Sequence, residues 1–250
     1  MEHTMEEHKN HEHKKAELFL EQQPVMEKIY EKGFAGFANE IGNINKAFEQ
    51  HDCCVRCMDE GTPGGFHYAG SGILREKDEI IAELKAAGVK KITSHDGCGA
   101  AALYAKANGI DVSEADACGK KFAQEIATRL GLPHEHISAE QMNRPKEFHV
   151  ARIAYYDGTG RFNYQNVKEL PAGFIISRGI QKDSASIEEA KIAFSIATGD
   201  HGFGNKIDAD NPFVFVVIGK TTEEADQLAS ELSGLVNERA KIEKFVAPTV

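Results

Sequence analysis

Hydrophobic positions follow two different periods along this chain, and the period changes at glycines. From Ala16 onward, Leu18, Leu20, Val25, Ile29, Tyr30, Phe34, Phe37, Ile41, Ile44 and Phe48 recur at roughly helical spacing. This predicts a helical arm over residues 1–50, divided by Pro24 and Gly33 into two or three helices. Short apolar runs then predict strands at Asp52–Met58, Val89–Ser94, Gly173–Ser177 and Pro212–Ile218. Helical spacing returns at Ile73–Ala87, Gly99–Asn108, Ser113–Leu130, Ser186–Ala197 and Thr222–Ala240. Gly88, Gly109 and Gly131 stand where helix stops are expected. Phe148–Tyr156, Asp157-Gly158-Thr159-Gly160 and Arg161–Tyr164 read as strand, turn and strand, a β-hairpin. Glu60–Gly72, with Pro63, and Gly199–Asn211 are glycine-rich and read as loops, and the tail Lys241–Val250 fits no single pattern.

Strands that alternate with helices imply βαβ units. The expected fold is therefore α/β, with a mainly parallel central sheet and flanking helices. We expect a helical N-terminal arm over 1–50 and a single α/β domain over 51–250. An arm with one apolar side is expected to pack on a neighbouring subunit.

Composition narrows the function classes. The 250 residues are 41% hydrophobic and 27% charged, which describes a globular chain with enough core to fold without a metal or disulfide staple. A bound metal would then serve chemistry rather than folding. The net charge of −10 argues against nucleic acid and anionic membrane as partners. No apolar run approaches the ~20 residues of a membrane span, and Met1–Lys15 has no signal-peptide core. A cytoplasmic protein is the expectation.

Two segments carry the chemistry. Cys57-Met58-Asp59 ends the first predicted strand, and Ser94-His95-Asp96-Gly97-Cys98-Gly99 ends the second. In open parallel sheets, ligands gather beyond the carboxyl ends of the strands. Two thiols and one imidazole at such an edge make three ligands of a tetrahedral zinc site. The helix that starts after Cys98 favours a thiolate there. Asp59, two residues after Cys57, shares its side of the strand. It can close the site as a fourth ligand, or stand beside it and orient a metal-bound hydroxide. The choice depends on whether a cation holds it away.

Other candidates have plainer readings. Cys54 and Cys57 form a CxxC, but residues three apart on a strand face opposite sides, which disfavours a redox pair. Cys53 and Cys118 read as packing residues. His67 and His201 lie in glycine-rich loops and are possible proton relays, against the commoner reading of ordinary surface or core histidines. His3, His8, His11 and His13 read as a solvated helix start rather than a second metal site.

Cys57-x-Asp59 followed by His95-x-x-Cys98-Gly99 resembles the β-class carbonic anhydrases. The similarity covers about residues 50–165, and Tyr68–Arg75, Ser94–Ala100 and the longer C-terminal half look more like the low-CO2-inducible (LCIB-type, theta-class) branch of that superfamily. The resemblance implies zinc-dependent, reversible hydration of carbon dioxide to bicarbonate by metal-bound hydroxide. It implies Zn2+ on Cys57, His95 and Cys98, an Asp–Arg dyad on Asp59, and at least a homodimer. One departure matters: the family's dyad arginine would stand at position 61, which is glycine here, and Glu60 replaces a serine. Arg75, after the glycine-rich loop, is the first candidate to restrain Asp59. Arg178 is the second, and Arg56 the third because its parity points it away from Cys57. Ala100–Leu103 and Phe66 are candidates for an apolar substrate wall. Alternatives with the same residues are a COS or CS2 hydrolase and a non-catalytic zinc- or bicarbonate-binding protein closed by Asp59.

Overall fold

The computed structural model describes residues 2–49, 52–62 and 64–249, with residues 2–10 described as backbone only. His3, His8 and Pro63 therefore lie outside the described side chains, whereas His11 and His13 are exposed on a helix. Among the described residues, eight strands form two four-stranded sheets in which each strand-to-strand pairing is parallel. The fold is α/β, with helices flanking the sheets and a long helix at the N-terminus.

The first sheet is ordered β2-β1-β3-β4: β1 (Cys54–Cys57), β2 (Phe66–Tyr68), β3 (Lys91–His95) and β4 (His134–Ile137). The second is ordered β6-β5-β7-β8: β5 (Ile153–Asp157), β6 (Phe174–Ile176), β7 (Phe213–Gly219) and β8 (Ala240–Val246). The sheets meet where β2 approaches β6. There the Ile175 N–H donates to the Met58 carbonyl at 3.1 Å and the Ser177 N–H to the His67 carbonyl at 3.3 Å. The Ser177 hydroxyl accepts the His67 N–H at 2.8 Å.

Alternation along a strand sorts the second sheet into two cores. Phe213, Phe215 and Val217 of β7 join Ala154 and Tyr156 of β5 in the main core, which also contains the interior of the first sheet. Val214, Val216 and Ile218 join Ile153 and Tyr155 on the other face. That face is covered by the N-terminal helix α1 (Glu2–Asn39), through Met26, Ile29, Phe34, Phe37 and Ala38. The arm expected to pack on a neighbouring subunit thus buries its apolar stripe on its own sheet. The break comes at Gly33 (φ 70, ψ 163), while exposed Pro24 is carried inside the helix. Leu20, counted in the apolar stripe, is 66% exposed, and Phe19 turns inward in its place.

Three sequence expectations change. The predicted hairpin does not form: β5 pairs in parallel with β6 and β7, and 161–164 is no strand. Asp157 explains the turn, since its carboxylate accepts the N–H groups of Thr159 at 2.8 Å and Phe162 at 3.0 Å, which folds the chain away from the sheet. The last helix stops early, α6 (Thr222–Glu231), and the tail that fitted no pattern supplies β8. Two strands appear where none was predicted, β2 inside the glycine-rich loop and β4 in His134-Glu135-His136-Ile137. The remaining helices are α2 (Lys77–Ala86), α3 (Gly99–Ala107), α4 (Ala115–Leu130) and α5 (Asp183–Thr198). Among the described residues, no helix is long and apolar enough to cross a membrane.

Arg152, just before β5, anchors the arm. It is 1% exposed, with its guanidinium 3.8 Å from the Phe19 ring centroid. It donates to the Phe19 carbonyl at 3.2 Å, Gln23 Oε1 at 2.9 Å and the Tyr30 hydroxyl at 3.1 Å. Truncation would take these bonds from one buried and two half-buried acceptors. Arg152→Ala is expected to lower unfolding stability in urea by about 3 kcal/mol; a loss within experimental error would show that the arm docks without it.

Candidate metal centre

β1 and β3 are adjacent parallel strands, so their carboxyl ends lie side by side. Cys57 is the last residue of β1 and His95 the last of β3, and Cys98 caps the N-terminus of α3. The ligating atoms of Cys57, His95 and Cys98 all lie within 4.8 Å of one another, and all three residues are buried. This group could hold a metal ion.

The surroundings aim the three donors. His95 Nδ1–H donates to the Asp96 carbonyl at 2.8 Å, which leaves Nε2 as the lone-pair nitrogen. Nε2 is buried and has no hydrogen-bond partner. A buried orphan nitrogen beside two thiols fits a metal ligand. The Gly70 N–H donates to Cys57 Sγ at 3.2 Å. Glycine is required there: φ is +54°, and a Cβ would sit 2.9 Å from Ala100 Cβ and 3.2 Å from Cys98 Sγ. Glu189 on α5 fixes this turn from below by accepting the Ala69 N–H at 2.6 Å, and burial pushes its carboxyl up to about 8.

Without a metal the three groups share protons. The Cys57 thiol is held well below its usual value by a hydrogen bond from Cys98, against its burial, with help from the charge of His95. Cys98 is pushed up by donating that hydrogen bond and by burial. Burial opposes a charge on His95, but the Cys57 thiolate raises it to about 9. Two sulfurs and an imidazole thus compete for protons that a metal cation would displace.

Asp59 is 4% exposed and does not stand alone. Arg144 grips it with two bonds, Nε to Oδ1 at 2.7 Å and Nη2 to Oδ2 at 2.7 Å. The Gly61 N–H adds a bond to Oδ1 at 2.8 Å. Burial would raise the Asp59 carboxyl, but the charges of His149 and Arg144 outweigh it and hold the group well below the usual carboxylate range. Glycine at 61 makes room for this arginine, since a Cβ would meet Met142 Cε at 2.8 Å and Arg144 Cγ at 3.0 Å.

The arginine is therefore Arg144, and the three candidates from sequence are bound elsewhere. Arg75 donates to both Glu83 oxygens at 2.7 and 2.8 Å and reaches Glu79. Arg178 clasps Glu231 at 2.8 and 2.9 Å, and Arg56 pairs with Asp52 at 3.0 Å. Arg144 lies in the irregular segment after β4. With β4 unrecognised, nothing in the sequence carried that segment to the ligand edge. Glycine at 61, in place of a larger side chain, was the available signal.

A second buried trio, Asp59, Glu60 and His149, also meets the distance condition for a metal. Most of its acceptor sites are already engaged. Glu60 Oε1 accepts the Val150 N–H at 2.7 Å, and Oε2 accepts His149 Nδ1–H at 2.9 Å. Neither Glu60 nor His149 stood out in the sequence as a site residue, because both roles depend on contacts 89 residues apart. His67, a relay candidate, is committed through Nδ1 to the Cys57 carbonyl at 2.7 Å. Cys54 and Cys57 do not bridge, and none of the cysteines is in a disulfide.

A cavity of about 10 Å3 adjoins the ligands, lined by Cys57, Asp59 and His149 with apolar Met58, Ala69, Ala100, Phe174, Ile192 and Ile196. It has room for about one water. Beyond it opens a groove of about 860 Å3. Ala100 of the expected apolar wall lines the cavity, and Ala102 and Leu103 line the groove. Phe174, Ile192 and Ile196 take the place expected for Phe66, which lines neither space.

A scan against protein-family models and searches of curated proteins and of solved structures found no match.

Two sets of variants test this arrangement. Cys57→Ser, His95→Ala and Cys98→Ser should each weaken metal binding by about tenfold or more, read as metal per chain after dialysis, whereas Cys53→Ser and Cys118→Ser should retain full metal. Loss of metal in the second pair would mean that the wrong sulfurs have been assigned. Gly61→Ala should cost about 1–3 kcal/mol by driving Arg144 off Asp59, and unchanged thermal stability would contradict the packing described at position 61.

Proposed function

We propose that this chain is a zinc-dependent hydratase that interconverts carbon dioxide and bicarbonate. The observation that carries the reading is the two-bond clasp of Arg144 on Asp59 beside the three ligands. A carboxylate so held is not free to swing over as a fourth ligand. The centre then keeps one position for water, as catalytic zinc sites do.

Two thiolates and one imidazole favour zinc over the harder divalent cations. Zinc bound there would make water a nucleophile near neutral pH and stabilise charge on an attacked carbonyl carbon's oxygens. The chain's own residues supply the rest. Asp59, ionised and fixed, accepts a hydrogen bond from the attacking water and so turns a lone pair toward the carbon. Arg144 keeps Asp59 charged and in place. The Gly70 N–H steadies the Cys57 sulfur. The apolar side chains of Ala69, Ala100, Phe174, Ile192 and Ile196 suit a small uncharged substrate and give no partner to a larger polar one.

This also weighs against a site closed by Asp59, since the cation missing from position 61 is present at 144. COS and CS2 share the geometry of CO2, and selectivity among them is read by assay.

Stopped-flow CO2 hydration by zinc-loaded protein tests the proposal. Turnover well above background is expected between pH 6 and 9. Asp59→Asn and Arg144→Ala should each lower kcat/KM by about a hundredfold or more with full zinc retained. Arg144→Lys should recover little, because a point charge cannot make the paired bonds. No turnover at full zinc occupancy, or an Asp59→Asn variant as active as the parent, would overturn the reading. Faster sulfide release from COS than CO2 hydration would move it to the sulfur substrate.

A further inference from the structure

We propose that His149 carries the proton released by hydration from the inner cavity to the open groove, with Glu60 fixing its tautomer. The inference rests on the hydratase reading above.

The cavity at the ligands and the large groove share four lining residues, Gly99, His149, Ile192 and Ile196. The ligand Cys98 also lines the groove, and these four stand where the two spaces adjoin. Only His149 among them has a side chain that can take up and release a proton near neutral pH. Asp59 lines the inner cavity alone. Arg144 lines the groove, but its guanidinium stays protonated beside Asp59. A proton leaving by this route therefore has one carrier in the wall.

The imidazole is held for the task. Its side chain is only 9% exposed, and Nδ1–H is committed to Glu60 Oε2 at 2.9 Å. Nε2 is the nitrogen left to exchange protons. The backbone of His149 is pinned as well, its N–H donating to the His201 carbonyl at 2.6 Å. Phe174 of β6 packs against the ring with centroids 5.5 Å apart, and α5 presents only apolar Ile192 and Ile196 at the boundary. The charged groups facing the ring are Glu60 and Asp59, which favour its protonated form, and Arg144, which opposes it. On the groove side Lys146, Glu147, Asp200 and His201 line the exit.

The proton balance is simple. CO2 and water yield bicarbonate and one proton. The Nε2 lone pair takes that proton and the ring becomes imidazolium. A buffer base in the groove removes it and restores the lone pair. The Nδ1–H bond to Glu60 is unchanged through the cycle. His201, a relay candidate from its sequence position, lines the groove and not the inner cavity, so it can act only downstream.

The test uses the zinc-loaded chain with His149→Asn and His149→Ala, and a spectroscopic readout on the parent protein. In weak buffer, kcat for CO2 hydration should fall by about a hundredfold, while kcat/KM should change by less than about threefold. Added imidazole should restore kcat in the variants with saturation. Zinc content should stay full. In the parent protein, 15N NMR should show the His149 ring with its hydrogen on Nδ1 and Nε2 bare in the neutral form, and Glu60→Gln should loosen that preference. An inert parent protein at full zinc would remove both this inference and the hydratase reading. With an active parent, three results would overturn this inference alone: unchanged kcat in the variants, equal losses of kcat and kcat/KM without imidazole rescue, or a ring carrying its neutral-form hydrogen on Nε2. The NMR result needs no variant and decides the point even where a substituted chain fails to fold.

Discussion

Asp59 and Arg144 form an ion pair that is almost wholly removed from water, with side chains 3% and 4% exposed. Such a pair costs desolvation on both sides, and its Coulomb attraction offsets that cost only when the geometry is good and the remaining lone pairs are satisfied. Here both conditions hold. The guanidinium meets the carboxylate edge to edge, the Gly61 N–H takes a further lone pair, and the Pro145 carbonyl accepts from Arg144 Nη1 at 2.8 Å. Removing either partner would strand a buried charge. The pair therefore fixes the charge and the place of Asp59 together. Because the carboxyl is held below its ordinary range, its contribution to stability is complete at neutral pH and is lost only when acid takes the pH down through that lowered value.

The rest of the centre follows from where parallel strands end. β1, β3 and β4 run side by side in one direction, so each delivers its following turn to the same edge. β1 delivers Cys57 and then Asp59; β3 delivers His95 and, through one tight turn, Cys98. The segment after β4 crosses back with Arg144 and His149. The second sheet contributes from its β6 side, with Phe174 against the His149 ring and α5 closing the cavity. Two buried acids, Asp59 and Glu60, stand next to each other in sequence and differ in their hydrogen-bond partner, Arg144 for Asp59 and His149 for Glu60, although His149 Nδ1 also lies 3.9 Å from Asp59 Oδ2. That separation gives the cleft one carboxylate locked by a permanent charge and one paired with a titratable ring.

Much of this was legible from residue pattern. β7 is an unbroken apolar run, β1 and β3 fall where strands were expected, and the glycines after α2, α3 and α4 mark the helix ends, so the parallel α/β character followed from the alternation. The cysteines and histidine lay at predicted strand ends, and the structure brings them together. What stayed hidden has physical causes. β4 is an edge strand in which only Ile137 is buried, so His134-Glu135-His136 shows no apolar signal. β2 is three residues long inside a glycine-rich segment. β8 alternates Lys241, Ile242, Glu243 and Lys244 as an edge strand would, but follows a helix whose end carries no glycine stop. Arg144 is 85 residues from Asp59 in a stretch without periodicity, so only the three-dimensional arrangement could name it.

The central claim is that Arg144 holds Asp59 off the metal, so that Cys57, His95 and Cys98 are its only protein ligands. X-ray absorption on the zinc-loaded chain measures this directly. The account predicts two sulfurs at about 2.3 Å, one imidazole nitrogen at about 2.0 Å and one light atom from water. That last atom should be replaced when a small anion such as azide is added. A fourth ligand that behaves as a carboxylate and ignores the anion would contradict it.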